Sequence, residues 1–342
     1  MSLMISLELP QPYLLFVGEI TNPRFAKTAF GLADWARERC LGECALSESA
    51  VTLGLPRMTP AQAAQRGARS LLIGVAPIGG NISPSWVATL IEALESGLDI
   101  VSGLHTRLRS VAALAAAADK AGRRLIDVRE PPPGLSPGTG RRRGGRRLLT
   151  VGTDCALGKK YTALSLTREL KRRGLDADFR ATGQTGIMIA GRGIPIDSVV
   201  ADFIAGAAEV LSPDAHAAHW DIVEGQGAVL HPLYAGVSVG LLHGTQADVL
   251  VMCHEVGREH VLGLPDYPVP AIPEAIELTL ALARRTNPAV RCAGVSLNTS
   301  GLEESRARDV LVEHSRALGL PVADPLRPGA ELNRLVDACL ES

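Results

Sequence analysis

Residues 152–161 constrain this chain more than any other stretch. Gly152-Thr153-Asp154-Cys155-Ala156-Leu157-Gly158 lies between an apolar run, Arg147 to Val151, and a helical stretch opened by Lys159, Lys160 and Tyr161. A strand has to enter such a turn and a helix has to leave it. The glycines let the backbone wrap so that successive amides point inward, and the helix N-terminus adds partial positive charge. Lys159 is placed to reach a bound phosphate, and Lys160 adds a second cation. The stretch is therefore a candidate phosphate-binding loop in the strand-loop-helix setting such a loop requires. Five residues separate Gly152 from Gly158, one more than in the common Gly-x4-Gly-Lys-Ser/Thr pattern. The place after Lys159, where a hydroxyl would ligate magnesium, holds Lys160. Thr162 lies two residues further along, on a different helix face. Phosphate binding is the expectation; ATP with magnesium is secondary to it.

The rest of the chain fits two α/β domains. At 342 residues it is about twice a typical domain, and its 46% hydrophobic content can build two cores. Aromatics are only 4% while glycine (35) and proline (22) are plentiful, which suits Ala/Leu/Val packing with many tight turns. A formal net charge of -1 excludes a global basic field for nucleic acid. No apolar run reaches the roughly 20 residues of a membrane helix. Residues 1–12 lack a targeting pattern, so a cytoplasmic protein without a membrane partner is expected. The six cysteines are scattered, with Cys40 and Cys44 the only close pair, and read as reduced thiols rather than metal ligands.

Residues 131–147, with Pro131-Pro132-Pro133-Gly134 and the arginines 141, 142, 143, 146 and 147, read as a solvated linker. Residues 1–130 form a first, Rossmann-like α/β domain. Strands are predicted at 13–17, 71–75, 100–104 and 124–128, and helices at 24–39, 83–96 (capped by Ser83) and 110–121, with a turn over 76–80. Its first strand is not followed by Gly-x-Gly-x-x-Gly, so no dinucleotide site is expected there. Residues 148–342 form the second, phosphate-loop domain with a mainly parallel sheet. Its predicted strands are 147–151, 177–181, 220–224, 237–242, 249–252 and 291–297; its helices are 160–173, 272–284 and 305–318.

Several residues stand where chemistry could be done. Gln184 and Thr185 follow the strand ending at Ala181, in a turn of small residues that admits a ligand or simply closes tightly. Asp197 and Asp202 bracket a short apolar run and could position an amine or cap a helix. Glu224, before Gly225-Gln226-Gly227, ends a strand at the edge where open α/β sheets hold ligands, and should face the loop. His231 and His243 are possible proton acceptors, or capping histidines. Cys253 and His254 are neighbours on one strand, so their side chains should point to opposite faces. Asn298 ends a late strand.

The loop spacing resembles the variant Gly-Thr-Asp-x-x-x-Gly-Lys-Thr loop of dethiobiotin synthetase, where a similar Glu-Gly-x-Gly also follows a strand. Taken with the Gly183-Gln184-Thr185-Gly186 turn, the Asp197 to Asp202 run and Glu224-Gly225-Gln226-Gly227, nearly the whole chain resembles the DgcN-type family, which includes D-glutamate N-acetyltransferases. That resemblance implies acetyl transfer from acetyl-CoA to an amino-acid amine, most simply that of D-glutamate. Lys159 and Lys160 would hold the phosphates of coenzyme A, Asp202 or Glu224 would orient the amine, and His231 would accept its proton. Arg192 or Arg258 would pair with substrate carboxylates, beside Gln184, Thr185 and Asp197. A homo-oligomer acting on small molecules is expected. The alternatives are an ATP-dependent, carboxylate-activating ligase and a non-catalytic nucleotide-binding protein.

Overall fold

The computed structural model describes residues 7–77, 80–327 and 329–341. The turn expected at Ile78-Gly79 lies outside them. In chain order the strands are β1 (Leu7–Glu8), β2 (Tyr13–Gly18), β3 (Cys40–Ala45), β4 (Ser70–Ile73), β5 (Asp99–Ser102), β6 (Leu125–Asp127), β7 (Arg146–Gly152), β8 (Ala177–Arg180), β9 (Arg192–Gly193), β10 (Trp220–Val223), β11 (Val249–Glu255), β12 (His260–Val261), β13 (Leu264–Pro268), β14 (Arg291–Asn298) and β15 (Val322–Ala323). The α-helices are α1 (Lys27–Trp35), α2 (Pro60–Gln65), α3 (Val87–Glu95), α4 (Ala112–Ala121), α5 (Lys159–Arg172), α6 (Gln184–Ala190), α7 (Ile204–Leu211), α8 (Ala235–Thr245), α9 (Ile272–Ala283), α10 (Glu304–Leu318) and α11 (Ala330–Leu340).

They form two compact units, one of residues 7–132 with Gln184–Ser198, the other of Pro133–Gly183 with residues 199–341. The first unit is Rossmann-like, with a parallel sheet in the order β3-β2-β4-β5-β6. The run Tyr13 to Val17 is buried throughout, as a strand covered on both faces must be. Gln184–Ser198 returns to this unit from far along the chain. β9 pairs antiparallel with β1, Tyr13 donates to the Met188 carbonyl at 3.3 Å, and Arg39 donates to that of Ile189 at 2.8 Å.

The second unit carries a six-stranded parallel sheet, β15-β14-β11-β7-β10-β8. The chain leaves β7 for β8, comes back to β10 beside β7, then crosses to β11 on the other side. β7 thus sits at the reversal of strand order, where such sheets open a crevice at their carboxyl edge. Leu148, Leu166, Leu170, Ile222, Val251 and Leu335 belong to one core cluster. Met252, Val295, Leu297 and Val310 belong to another.

Several expectations change. Gln184 and Thr185 open α6 and do not lie in a turn. Val237–Leu242 is helical, inside α8, not a strand. Gly240 and Gly244 explain it: a Cβ on Gly244 would stand 2.2 Å from the Ala205 carbonyl oxygen, and one on Gly240 2.7 Å from Ile204 Cγ2. The small residues are spaced to let α8 touch α7, and the apolar run serves that contact. His243 is consequently a helix residue, its Nε2 3.1 Å from the Leu282 carbonyl. The arginine run is only partly solvated. Arg147 is 1% exposed and Arg143 9%. Arg143 donates to the carbonyls of Ser212, Gly244 and Thr245, and Arg147 to those of Arg143, Gly144 and Pro213. The two guanidinium forks thus supply side-chain donors to a cluster of backbone carbonyls, of which Gly144 alone also accepts from a backbone amide among the described residues, that of Ala215 at 3.4 Å. Ser83 does not cap: its hydroxyl pairs with Ser85, and the helix begins as a 3-10 turn at Pro84–Trp86.

Candidate functional site

β7 ends at Gly152 and the loop that follows feeds α5. A Cβ on Gly152 would stand 3.2 Å from Lys159 Nζ, so the glycine leaves room for the ammonium. Ala156 (φ 54°) and Gly158 (φ 112°) adopt left-handed backbone, which turns the loop into the helix. The amides of Ala156, Leu157 and Gly158 make no hydrogen bond to another described residue. Lys159 is buried and donates to the Asp154 carbonyl at 2.7 Å. Burial pulls its pKa below the ordinary lysine value. Lys160 places its ammonium 4.3 Å from the Tyr161 ring centroid. The elements of a phosphate cradle are thus together: unengaged amides, a helix N-terminus and two lysines.

Asp154 fixes the loop's shape. Its fully buried carboxylate accepts from the Cys155 amide at 2.6 Å, the Leu262 amide at 2.9 Å and Arg258 Nη1 at 2.9 Å. Burial opposes its ionisation, but those three donors outweigh it and hold the pKa below the usual carboxylate value. Arg258 also donates to the Cys155 carbonyl at 2.7 Å and pairs with Glu255. Its guanidinium is therefore part of the loop's scaffold, not a free clamp for substrate carboxylates.

His231 is buried beside this node, its Nε2 3.5 Å from Asp154 Oδ1 and its ring tilted over Tyr234 at 4.6 Å. The Leu233 amide donates to Nδ1 at 3.1 Å, so in the neutral ring the proton sits on Nε2, toward Asp154. Burial lowers its pKa, Asp154 opposes that, and Lys159 adds to the lowering. Asp154, Cys155 and His231 converge closely enough to suggest metal ligands. Both carboxylate oxygens and Nδ1 are already hydrogen-bonded, however, and Arg258 and Lys159 crowd the site with positive charge. The cluster shapes the loop.

Glu224, just past β10, is 4% exposed, and its Oε2 accepts from the amides of Thr182 and Gly183, each at 3.0 Å. Thr182 in turn donates to the Glu224 carbonyl at 2.7 Å, and Gln226 Nε2 to Thr182 Oγ1 at 2.9 Å. The carboxylate thus ties the end of β8 to the end of β10. Gly225 has no room for a side chain: a Cβ would lie 1.7 Å from the Thr150 carbonyl oxygen and 3.1 Å from Lys159 Cδ. Thr162 shares a hydrogen bond with Ser296 at 2.8 Å and is 3% exposed, locked in the core. Thr162 therefore does not stand in for the hydroxyl whose place Lys160 takes.

Cys253 and His254 point to opposite faces, as adjacent strand residues must. Cys253 Sγ turns to Thr162, whereas His254 Nδ1 lies 2.9 Å from Thr153 Oγ1. His254, singled out in the sequence as the neighbour of Cys253, is instead a partner of the loop through Thr153. Asn298 accepts from the Ser300 amide at 3.0 Å and closes a turn. Asp202 is exposed in the 3-10 turn Ala201–Phe203 of the same unit.

Gln184, Thr185, Asp197 and Arg192 belong to the first unit. Arg129 gathers two of them, donating to Gln184 Oε1 at 3.0 Å and to Asp197 Oδ2 at 2.7 Å. Thr185 shares a hydrogen bond with Thr28 at 3.1 Å, and Arg192 stands on β9 opposite Glu8. Arg129 carries no sequence signal of its own; only the return of 184–198 to this unit makes it a partner.

A buried lysine and an open glycine loop at the switch point of a parallel sheet, in a chain that also has a Rossmann-like unit, define a two-part phosphate-loop α/β protein. Residues 136–336 match the family model described as the DUF1611 C-terminal P-loop domain, and residues 38–131 match the DUF1611 N-terminal Rossmann-like domain. The chain belongs to the DUF1611 family. It is 46% identical over 325 residues to a D-glutamate N-acetyltransferase of Pseudoalteromonas sp, covering 95% of this chain and 98% of that one. A protein of the same name from Tritonibacter scottomollicae is 47% identical over 327 residues, covering 96% and 98%. The crystal structure of a DUF1611 family protein from Anabaena variabilis superimposes with a TM-score of 0.85 at 32% identity, over 97% of this chain and 100% of that one. The chain is an acyltransferase.

Proposed function

We propose that this chain transfers an acetyl group from acetyl-CoA to the amine of D-glutamate, as a step in D-amino-acid catabolism. The observation that carries the reading is the loop itself: two lysines and unengaged amides collect phosphate charge, while the hydroxyl that would bring magnesium is absent and Thr162 is locked against Ser296. Coenzyme A supplies a diphosphate and a 3′-phosphate to hold without hydrolysing either. The names of both curated relatives agree with this chemistry.

In the reaction, the neutral amine adds to the thioester carbonyl carbon. The C–N bond forms, the amine loses a proton, and the C–S bond breaks with departure of the thiolate, which takes up a proton. The protein's part is proximity and stabilisation of the oxyanion. On this reading Lys159 exchanges its contact with the Asp154 carbonyl for phosphate oxygens, and Lys160 takes the outer phosphate. Glu224 holds the Thr182-Gly183 turn in place. Asp202, the exposed carboxylate of the pair, is the better candidate to receive the substrate ammonium. His231 serves as proton acceptor once the Leu233 amide releases Nδ1. Gln184, Thr185, Asp197 and Arg192 are assigned to the amino-acid substrate.

The proposal also includes a cytoplasmic location and a homo-oligomer. It is supported by the exposed Leu233, Tyr234, Leu262 and Tyr267, which leave the phosphate-loop unit with apolar surface to cover. No described helix is long and apolar enough to cross a membrane. Calorimetry with acetyl-CoA and with ATP–magnesium, paired with thiol release on D- and L-glutamate, tests the reading. Acetyl-CoA should bind and D-glutamate should release thiol. Binding of ATP–magnesium alone, with no thiol released on any amino acid, would replace it with the ligase.

A further inference from the structure

A second cluster of chemistry-bearing side chains stands at the other edge of the phosphate-loop unit's sheet. Asp176 immediately precedes β8 and His219 immediately precedes β10, so both lie at the amino ends of parallel strands. The loop lies past the carboxyl end of β7, and a seven-residue strand at ~3.3 Å per residue sets the two places about 20 Å apart. This cluster therefore belongs to a different surface from the phosphate loop.

His216 and His219 are three residues apart, and the amide of His219 donates to the His216 carbonyl at 2.9 Å. That turn brings both rings to one side, with centroids 5.8 Å apart. His216 Nε2 and His219 Nδ1 each lie 2.8 Å from the same oxygen, Asp176 Oδ2. Three donors of the kinds that zinc, cobalt and nickel favour, two imidazole nitrogens and a carboxylate oxygen, thus converge on one point. The point is open to solvent, since the side chains of His216 and Asp176 are 65% and 55% exposed. Water could fill a fourth position.

The second ring nitrogen of His219 supplies an independent mark of a ligand. Its Nε2 lies 3.1 Å from Asp221 Oδ1, and Asp221 is itself held by Arg180 at 2.5 Å and Ser212 at 2.6 Å. A metal-bound histidine commonly donates its other N–H to a fixed carboxylate, which sets the tautomer and aims the lone pair. Asp221, 1% exposed, is such a partner, built into the core before any ion arrives.

We propose that Asp176, His216 and His219 form a site for a divalent transition metal of the zinc class, with Asp221 as its outer-shell support. The ion would pin residues 216–219 to the start of β8. The test is titration of chelator-stripped protein with cobalt(II), followed by visible absorption, and with zinc(II), followed by calorimetry and thermal melting. The expected result is one equivalent bound and a rise in melting temperature. His216→Ala and Asp176→Asn, both at exposed side chains, should each weaken binding at least tenfold and abolish the rise. Cys155→Ser, at the remote Asp154 cluster, should change neither. No binding, or binding that survives both His216→Ala and Asp176→Asn, would overturn the site. The trio would then be a hydrogen-bonded clamp in which two imidazoles serve one carboxylate.

Discussion

Both units place a parallel sheet's first strand next to its switch point, and the two strand ends differ in what fills them. In the first unit β2 ends at Gly18, and Glu19 accepts from Trp86 Nε1 at 2.8 Å and from Ser85 at 3.1 Å. In the second, β7 ends at Gly152, and the buried Lys159 occupies the corresponding place. The first position is closed by a carboxylate and an indole, the second is lined by an ammonium and amides without acceptors. Strand order sets the two strand ends in equivalent places; the side chains there differ in charge, a carboxylate in one and an ammonium in the other.

The comparison is broken most severely at the lysine. Lys159→Ala should lower kcat/KM for acetyl-CoA by ~10²–10³, in the range for loss of a preorganised charge contact, with an unchanged circular dichroism spectrum. A change below about threefold would make the two strand ends equivalent toward anions. Next comes a pair of glycines at strand ends. Gly225→Ala should cost about 3 kcal/mol, because its Cβ would overlap the Thr150 carbonyl. Gly18→Ala should cost about 1 kcal/mol, mainly for a φ of 57°. Urea melts of both variants would show whether the second junction is indeed the tighter. Glu19→Gln should leave the KM for acetyl-CoA within twofold of the wild type, and any larger gain would mean that the first unit also meets the donor.

The smallest effect concerns pH. His231 has its pKa lowered by burial, so it stays neutral in the folded chain under conditions that protonate it when unfolded. The stability this supports is complete above its ordinary value of 6.5 and is lost as pH falls from there through the lowered folded value. His231→Gln should therefore lose less melting temperature on acidification than the wild type does, measured over the range just below 6.5.

Much of the site is legible one residue at a time. An apolar strand, glycines and paired lysines are local properties, and β7, the loop and α5 lie within a residue or so of where periodicity places them. Other features depend on distant partners. β3 contains Glu43, which breaks the apolar pattern, yet it is fully buried because the Leu53 amide and Arg57 satisfy its carboxylate. α8 looks like a strand until α7 claims its glycine face. Glu224 sits where an edge carboxylate was expected, but the amides of Thr182 and Gly183 determine its task.

The amino-acid order alone settled the two-part α/β design and the loop's location, since both rest on short-range geometry: the period of apolar residues and the freedom of glycine. Tertiary structure decided the rest. It sent Gln184–Ser198 back to the first unit, buried Arg143 and Arg147 against backbone carbonyls of distant segments, and drew Asp176 to two histidines some forty residues away. In each case the deciding factor is a hydrogen-bonding group that must find a partner once water is excluded, and neither its identity nor its neighbours in the chain say which partner that will be.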